Sequence, residues 1–360
     1  SQDEIDEAMQ AIANTGPQSS VAGVVSKVCP QGVAEDRLQQ DCNLMVGAAL
    51  TGEGTELQED ASTALAQVTP DRVRAAVNNA QVGTRSQLNN VGSRIAALQG
   101  GITGFSARGL TFNLDGRSLP VGQLADGLLE GLIGTRGGAA GDTGLDLGRW
   151  GVFVNGSLSM GDKDPTDNEA GYDFDSLTLT VGADYRFADN LVAGAALGYL
   201  KNETDLDANG GDLESDGWSL SVYGTYYQET GWYLDGVATY GWSSYDQRRN
   251  IRYDIGAVSV DQTASADYDG DQWSASLGGG YAFSRGPWSF GPTARLEYIR
   301  TTVDAYAERM SNPSEAGGGW ATRIDEQSLS SFTSQIGAEA SYAVSTGWGV
   351  LLPQLSLEWI

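Results

Sequence analysis

The sequence predicts a mainly β fold: an antiparallel transmembrane β-barrel with an α-helix in its lumen and a small helical domain ahead of it. Three observations carry this. From Arg149 onward apolar residues recur with a period of two, in segments of about 10–14 residues. The opposite face of those segments is small and polar, so only one side of each wants an apolar contact. Before residue 100 the period is helical. No run approaches the roughly 18–20 apolar residues of a membrane helix, but barrel strands are short and alternating and leave only a weak hydropathy signal.

Four parts follow in order. Residues 1–68 form a helical domain, with helical spacing in Glu4–Ile12, Val33–Leu50 and Gly54–Val68. Ser1 opens an acidic, polar stretch, read as a mature start whose signal peptide has been removed. Cys29 and Cys42, 13 apart, read as a disulfide in an exported protein. Residues 69–100 form the strongest helix, with Thr69 as N-cap, Pro70 at its first position and Gly100-Gly101 as its stop. Val73, Val77, Leu88, Val91, Ile95 and Leu98 line one side of it, and Arg72, Arg74, Asn78, Asn79, Arg85, Gln87, Asn89, Asn90 and Arg94 the other. About 30 residues at 1.5 Å each give roughly 45 Å, enough to thread a pore; a helix in a soluble bundle has the same pattern. Residues 101–147 are a Gly-rich connector with a strand-like stretch at Phe105–Leu114 and an apolar piece at Leu124–Ile133.

Residues 148–360 hold nine alternating segments, running from Trp150–Leu158 to Trp348–Ile360. Aromatics such as Trp150, Trp218, Trp232, Trp242, Trp273, Trp288 and Trp359 sit at their ends and suit two interfacial girdles. Short turns (Ala188–Asn190, Glu229–Gly231, Ser284–Pro287, Ser345–Gly347) alternate with stretches read as long acidic loops: Gly161–Asp175, Asn202–Gly217, Asp246–Asp271 and Thr302–Ser328. Short turns on one side and long loops on the other are the membrane-barrel asymmetry.

Charge excludes several functions. With 47 acidic and 21 basic residues, net −26, the chain is unsuited to nucleic acid or to a basic lipid-binding patch. With no histidine there is no Ser-His-Asp triad and no His-ligated metal.

At this point the chain resembles the autotransporter β-domain family. The resemblance lies in the pore-type helix LNNVGSRIAALQGG, the first strand WGVFVNGSLSMG, the hairpin DSLTLTVGADYRFADNLVAGAALGY and the late strands GPTARLEYI and LPQLSLEWI, and it covers about residues 85–360. It implies a twelve-stranded barrel with a threaded helix, secretion of an N-terminal passenger and assembly by the barrel-insertion machinery. Two departures stand out. Nine strands are counted before Ile360, so the chain is expected to be a piece of a longer one, with closure by a partner chain or by a tenth strand from Phe105–Leu114 as alternatives. In place of a long passenger there is one small helical unit, either passenger or plug. The Gly-Asp-Ser-Leu motif of the esterase branch does not occur.

Candidate sites follow from parity and spacing. Asp184, Arg186, Asp235, Arg295, Glu297, Glu339 and Glu358 fall on the lumen face, where charge is wet and inexpensive. Arg72, Arg74, Arg85 and Arg94 are placed to pair with the acids and hold the helix. Asn89-Asn90 resembles the self-cleaving segment of the serine-protease branch, in which an Asn amide attacks its own carbonyl with help from lumenal acids; a plain polar helix surface is the weightier reading. Asp205, Asp207, Asn209 and Asp216 match part of an EF-hand's oxygen spacing, without flanking helices, and Asp267–Asp271 is a weaker second set. Calcium is the one cofactor this suggests. The expected function is an outer-membrane barrel, not an enzyme, that translocates and anchors its own short N-terminal segment and has a structural role in the envelope. The rivals are a porin-like channel and an adhesion or assembly module. The expected partners are outer-membrane lipid and lipopolysaccharide, the barrel-assembly machinery and a partner chain.

Overall fold

The computed structural model describes residues 1–120 and 147–360 apart from positions 34, 53, 70, 71, 103, 108, 115, 116, 167–170, 208, 209, 229, 343, 347, 348, 352, 353 and 360; at 72–80 and at 117, 118, 120, 284, 345, 346, 349–351, 354, 356 and 358 it describes the backbone alone. The period of two becomes nine wall strands: β4 (Trp150–Lys163), β5 (Tyr172–Ala188), β6 (Leu191–Leu206), β7 (Gly211–Tyr227), β8 (Trp232–Ile255), β9 (Val258–Tyr281), β10 (Trp288–Val303), β11 (Gln327–Tyr342) and β12 (Gln354–Trp359). Each pairs antiparallel with the next, for example Val181↔Leu197, Leu220↔Tyr240 and Leu296↔Ser334. Leu179, Val181, Leu220, Val222, Leu277, Leu296 and Phe332 all point outward and are exposed, which marks the lipid face.

Two bands of aromatics bound that face. One includes Tyr199 against Trp218 (5.0 Å) and Tyr240 against Trp273 (4.7 Å); the other includes Trp150 against Tyr185 (5.1 Å) and Trp288 against Tyr342 (4.6 Å). Trp232 and Trp242 on β8 belong to opposite bands. Ten residues at about 3.3 Å, tilted by about 40°, span roughly 25 Å, the height of a barrel's apolar belt.

The connector also pairs with the sheet. Strands β1 (Gly104–Ser106) and β2 (Leu110–Leu114) lie against β4, and β3 (Arg117–Pro120) folds back on β2. The strand expected at Phe105–Leu114 is thus present but split, and it runs parallel to β4. It is therefore not a tenth member of the up-and-down wall. The apolar piece Leu124–Ile133 lies outside the described residues. Among the described residues the sheet runs β12-β11-β10-β9-β8-β7-β6-β5-β4-β2-β3 and wraps α5 without closing.

Five helices precede it: α1 (Gln2–Ala11), α2 (Gly16–Val28), α3 (Asp36–Ala49), α4 (Glu56–Val68) and α5 (Arg72–Gln99). Helix α2 lies where periodicity gave no helix, because its Val, Ser and Gly residues are weak helix formers. Its start is nevertheless marked, with the Thr15 side chain accepting from Gln18 N and Pro17 in the first turn. Thr69 is the C-cap of α4, its hydroxyl donating back to Leu65 O (2.7 Å), while Pro70, expected at the first position of α5, lies outside the described residues.

Two stretches read as long loops are strand. Asn202–Gly217 forms the upper half of the β6–β7 hairpin, and Asp246–Asp271 continues β8 and β9 to a turn at Gly256. Alternation continues there with the outward face now polar (Ser244, Asp246, Arg248) and the inward face still buried (Leu213, Tyr245, Ile251, Tyr253), so the ladder goes on beyond the lipid belt. Helices α1–α4 pack into one unit, the cap, on the tip of β8–β9, where Met45, Leu65 and Val68 share a buried cluster with Ile251, Tyr253, Val260, Met310 and Trp320.

Candidate functional site

The site is the lumen with its helix. Thr84, Gln87, Asn90, Arg94 and Gln99 recur every three to five residues along α5, and each meets a polar or charged side chain of the wall. Thr84 donates to Gln272 Oε1 (3.2 Å), and Gln87 donates to Ser221 Oγ (3.0 Å) while accepting from Thr180 (2.6 Å). Asn90 Nδ2 donates to Thr180 Oγ1 (2.9 Å), its carbonyl accepts from Asn155 Nδ2 (2.6 Å), and Gln99 donates to Thr225 (2.9 Å). Beside these bonds Leu88, Val91, Ile95 and Leu98 pack on Phe153, Val192, Ala196, Tyr223, Val237 and Ile299.

At the centre of this face Arg94 and Asp184, both fully buried, form a two-point pair: Nε to Oδ2 at 2.7 Å and Nη2 to Oδ1 at 3.1 Å. Tyr223 donates to the same carboxylate (2.9 Å), and the Phe153 ring lies 5.7 Å from the guanidinium carbon. A bidentate pair of this kind orients as well as attracts. The wall makes room with glycines. A Cβ on Gly151 would lie 2.2 Å from Arg94 Nη2, and one on Gly198 2.3 Å from Gln87 Oε1.

The other charges assigned to the lumen are distributed as follows. Asp235 pairs with Arg295 (3.0 Å), which also donates to Ser276 (3.0 Å). Glu297 lies 3.9 Å from the half-exposed Arg85. Arg186 sits at the short-turn end, donating to Tyr227 Oη (2.5 Å) and Asp189 O (3.0 Å), away from the helix. Glu339 stands opposite Gly291 and lines a cavity with Ala96, Tyr233 and Tyr281. The side chains of Arg72, Arg74 and Glu358 lie outside what is described. Asn89 is exposed, Asn90 is tied at both its amide and its carbonyl, and α5 is continuous through both.

The calcium set is not brought together. Asp205 faces Asp212 and Asp216 faces Lys201 across the β6–β7 hairpin, so Asp205 and Asp216 stand four rungs, or roughly 13 Å, apart. Asn209 lies outside the described residues. In the second set Asp267 pairs with Arg309 (2.8 Å). Among the described residues no group of three or more potential ligands converges. The EF-hand spacing coincides here with the extended strands of a hairpin, whose rise of about 3.3 Å per residue spreads these carboxylates along one face instead of gathering them.

A second centre went unread in the sequence. Arg249, fully buried at the hairpin tip, donates to Glu308 (Nε–Oε1 3.0 Å, Nη2–Oε2 2.5 Å) and to the last carbonyls of α4, Gln67 O (3.2 Å) and Val68 O (3.3 Å). Its only signal was parity, since it shares a face with Tyr245 and Gln247 inside a stretch taken for loop. Burial pushes the Tyr253 hydroxyl, far beyond the aromatic band, up to about 12.

A β-sheet with an apolar belt between two aromatic bands, wrapped round a helix by a buried Arg–Asp pair, defines an outer-membrane barrel with a lumenal helix. The model of the family described as "Autotransporter beta-domain" matches residues 152–360, and the chain belongs to that family. It is 27% identical over 201 residues to "Esterase EstA" of Pseudomonas aeruginosa, covering 55% of this chain and 30% of that protein. It is also 27% identical over 176 residues to "Outer membrane protein B" of Rickettsia typhi, covering 47% and 11%. The chain thus spans less than a third of these relatives. Among solved structures it is similar to the translocator domain of the autotransporter NalP from Neisseria meningitidis (TM-score 0.42, 21% identity, 52% of this chain and 61% of that one). It is similar also to the beta domain of the Bordetella autotransporter BrkA (TM-score 0.40, 22% identity, 58% and 75%). The protein is one of the bacterial outer membrane, and its barrel is of the translocator type.

Proposed function

We propose that this barrel carries its own N-terminal helical unit, residues 1–68, through the lumen and holds it on the cell surface as a fixed cap, with α5 as a seated plug. The observation that carries this reading is the position of the cap: it packs on the β8–β9 tip, at the end of the sheet opposite the short turns at Asp189–Asn190 and Gly286-Pro287. Short turns face the periplasm in barrels of this kind, which supports a cap on the outer side. The Arg94–Asp184 pair supports retention of α5. Leaving it would strand a buried charge, and the bonds on Asn90 favour an uncut helix.

This makes the protein a surface anchor with a structural role in the envelope. Outer-membrane lipid and lipopolysaccharide surround its belt, and the barrel-assembly machinery inserts it. In this reading the chain acts as an anchor and not as an enzyme; without histidine it has no Ser-His-Asp triad. A porin-like role is disfavoured by the seating of α5 against the inner wall.

The test is protease treatment of intact cells bearing an epitope at the N-terminus of the cap. Loss of the epitope without lysis is the expected result. An epitope digested only after the outer membrane is permeabilised would overturn the surface reading.

A further inference from the structure

We infer that the cap is gripped by a built socket on the barrel strongly enough to stay bound after the chain joining them is cut. The inference rests on the proposed surface position, but it concerns the interface itself. The socket has two walls, the β8–β9 tip and the strap that runs from residue 304 to 326 between β10 and β11.

The strap is fastened to the hairpin by bonds that do not involve the cap. Gln262 Nε2 donates to Asn312 O (3.0 Å) and Ala316 O (3.1 Å), and its Oε1 accepts from Ser311 Oγ (2.9 Å) and Asn312 N (3.0 Å). Trp320 Nε1 donates to Tyr253 Oη (2.8 Å), and Arg249 donates to Trp320 O (3.0 Å) besides Glu308. The socket is therefore organised before the cap arrives.

What it then presents is a receptor for the cap. Two backbone N–H groups, of Gly317 and Gly319, converge on the buried Asp41 carboxylate of α3 at 2.9 Å each. This is an anion-holding nest in which Gly317 adopts φ +82°. Arg249 Nη1 terminates α4 by taking the carbonyls of Gln67 and Val68, and Gly256 N donates to Asp60 (3.1 Å). Between these polar points lies the continuous apolar cluster. A released cap would take away the acceptors of Gly317 N, Gly319 N and Arg249 Nη1, leave Asp41 only its Arg37 partner on α3, and expose the apolar cluster to water, all of which opposes release. The one disulfide lies wholly within the cap, so nothing covalent joins cap to socket except the chain through residues 69–71.

The experiment places a specific protease site between residues 69 and 72 of the full chain and cuts it on intact cells. We expect the severed cap to stay with the cells through washing. Asp41→Asn keeps an acceptor but removes the charge, and Gly319→Ala puts a Cβ 2.4 Å from Leu38 Cα and so lifts the strap off α3. Both leave the barrel intact, and each should speed cap loss after cutting about tenfold or more. Prompt release of the severed cap from the protein whose sequence is otherwise natural would overturn the inference. Release rates for both variants equal to the natural one would overturn the assignment of the grip to Asp41 and the strap. If the site is cut only in permeabilised cells, the surface reading fails instead. Retention is then read on detergent-solubilised protein, by whether a tag on the barrel still pulls down the cap.

Discussion

Single residues decide whether the helix stays in the pore, and Asp184 is the one with most leverage. Asp184→Ala strands the Arg94 guanidinium among Phe153, Tyr223 and Leu98, and a charge left alone in such a place costs about 3–5 kcal/mol. The expected result is a lower melting temperature of the helix-filled barrel and frequent openings in planar bilayers. Replacing both partners, Arg94→Met with Asp184→Leu, should recover most of the lost stability, because an apolar pair of similar volume needs no compensation. Equal damage from the single and the double change would show that the pair is not what seats α5. Parity alone placed Asp184 in the lumen and a helical stripe alone placed Arg94 on the polar side. What no pattern contained was the choice of partner, or the part taken by Tyr223, Asn155 and Thr180. Those depend on how α5 is rotated and how far it is inserted, and seven lumenal charges had looked equivalent. Tyr253 gives a second prediction at this scale. Its folded form keeps the phenol proton to about pH 12 because burial disfavours the phenolate, whereas the unfolded phenol loses it near 10. Its contribution is therefore complete below pH 10 and is lost as pH rises through 10 to about 12. Cap docking should be flat with pH up to about 9 and weaken steeply above 10. Tyr253→Phe should reduce that steepness, in a titration followed by near-ultraviolet circular dichroism.

Elements decide where the cap sits. The alternation of β8 does not stop at Trp242. It continues through Tyr245, Gln247, Arg249, Ile251, Tyr253 and Ile255, but with polar outward partners such as Ser244, Asp246 and Arg248. The apolar outward face ends at Trp242, and in sequence that ending has the pattern of a loop. The ladder does not require an apolar outward face, because above the membrane its second face can be wet or covered by the cap. Replacing residues 247–266 by a two-residue Asn-Gly turn between Asp246 and Asp267, which face each other in the ladder, preserves the hairpin geometry. That variant should still insert and show a folded barrel by heat-modifiable mobility on gels, while its N-terminal unit becomes protease-sensitive. A cap that stays protected would mean that its seat lies elsewhere. Within the lumen, Gly198→Leu puts a side chain where Gln87 now lies. It should unseat α5 at that level and raise bilayer conductance well above that of the natural protein.

At the scale of the whole molecule, cap and barrel share one apolar cluster at the β8–β9 tip, and the expectation is that they still melt separately. The Cys29–Cys42 bridge closes a loop of 13 residues, a constraint worth about 3 kcal/mol in the chain-entropy picture, all of it in the cap. Cys29→Ser with Cys42→Ser should lower the melting transition of the cap and leave that of the barrel unchanged, as two calorimetric transitions would report. A matching fall in the barrel transition would mean that the two units unfold as one. The −26 charge suits this division: acids such as Asp175, Glu203 and Glu214 crowd the water-facing hairpins, while the belt between the aromatic bands is apolar.

Period, parity and punctuation belong to the chain, and from them came the nine strands, the aromatic bands, the short turns, α5 and the inward side of each strand. These are local consequences of where apolar residues fall along the backbone, and any fold of this sequence must respect them. Tertiary structure alone decided the parallel seating of β1 and β2 on β4, the extension of β8–β9 into a socket, the union of Arg249 with Glu308 and α4, and the selection of Asp184 by Arg94. Each of these joins residues tens to hundreds of positions apart, and none has a period. Only the relative placement of finished elements brings the two halves of each contact within reach.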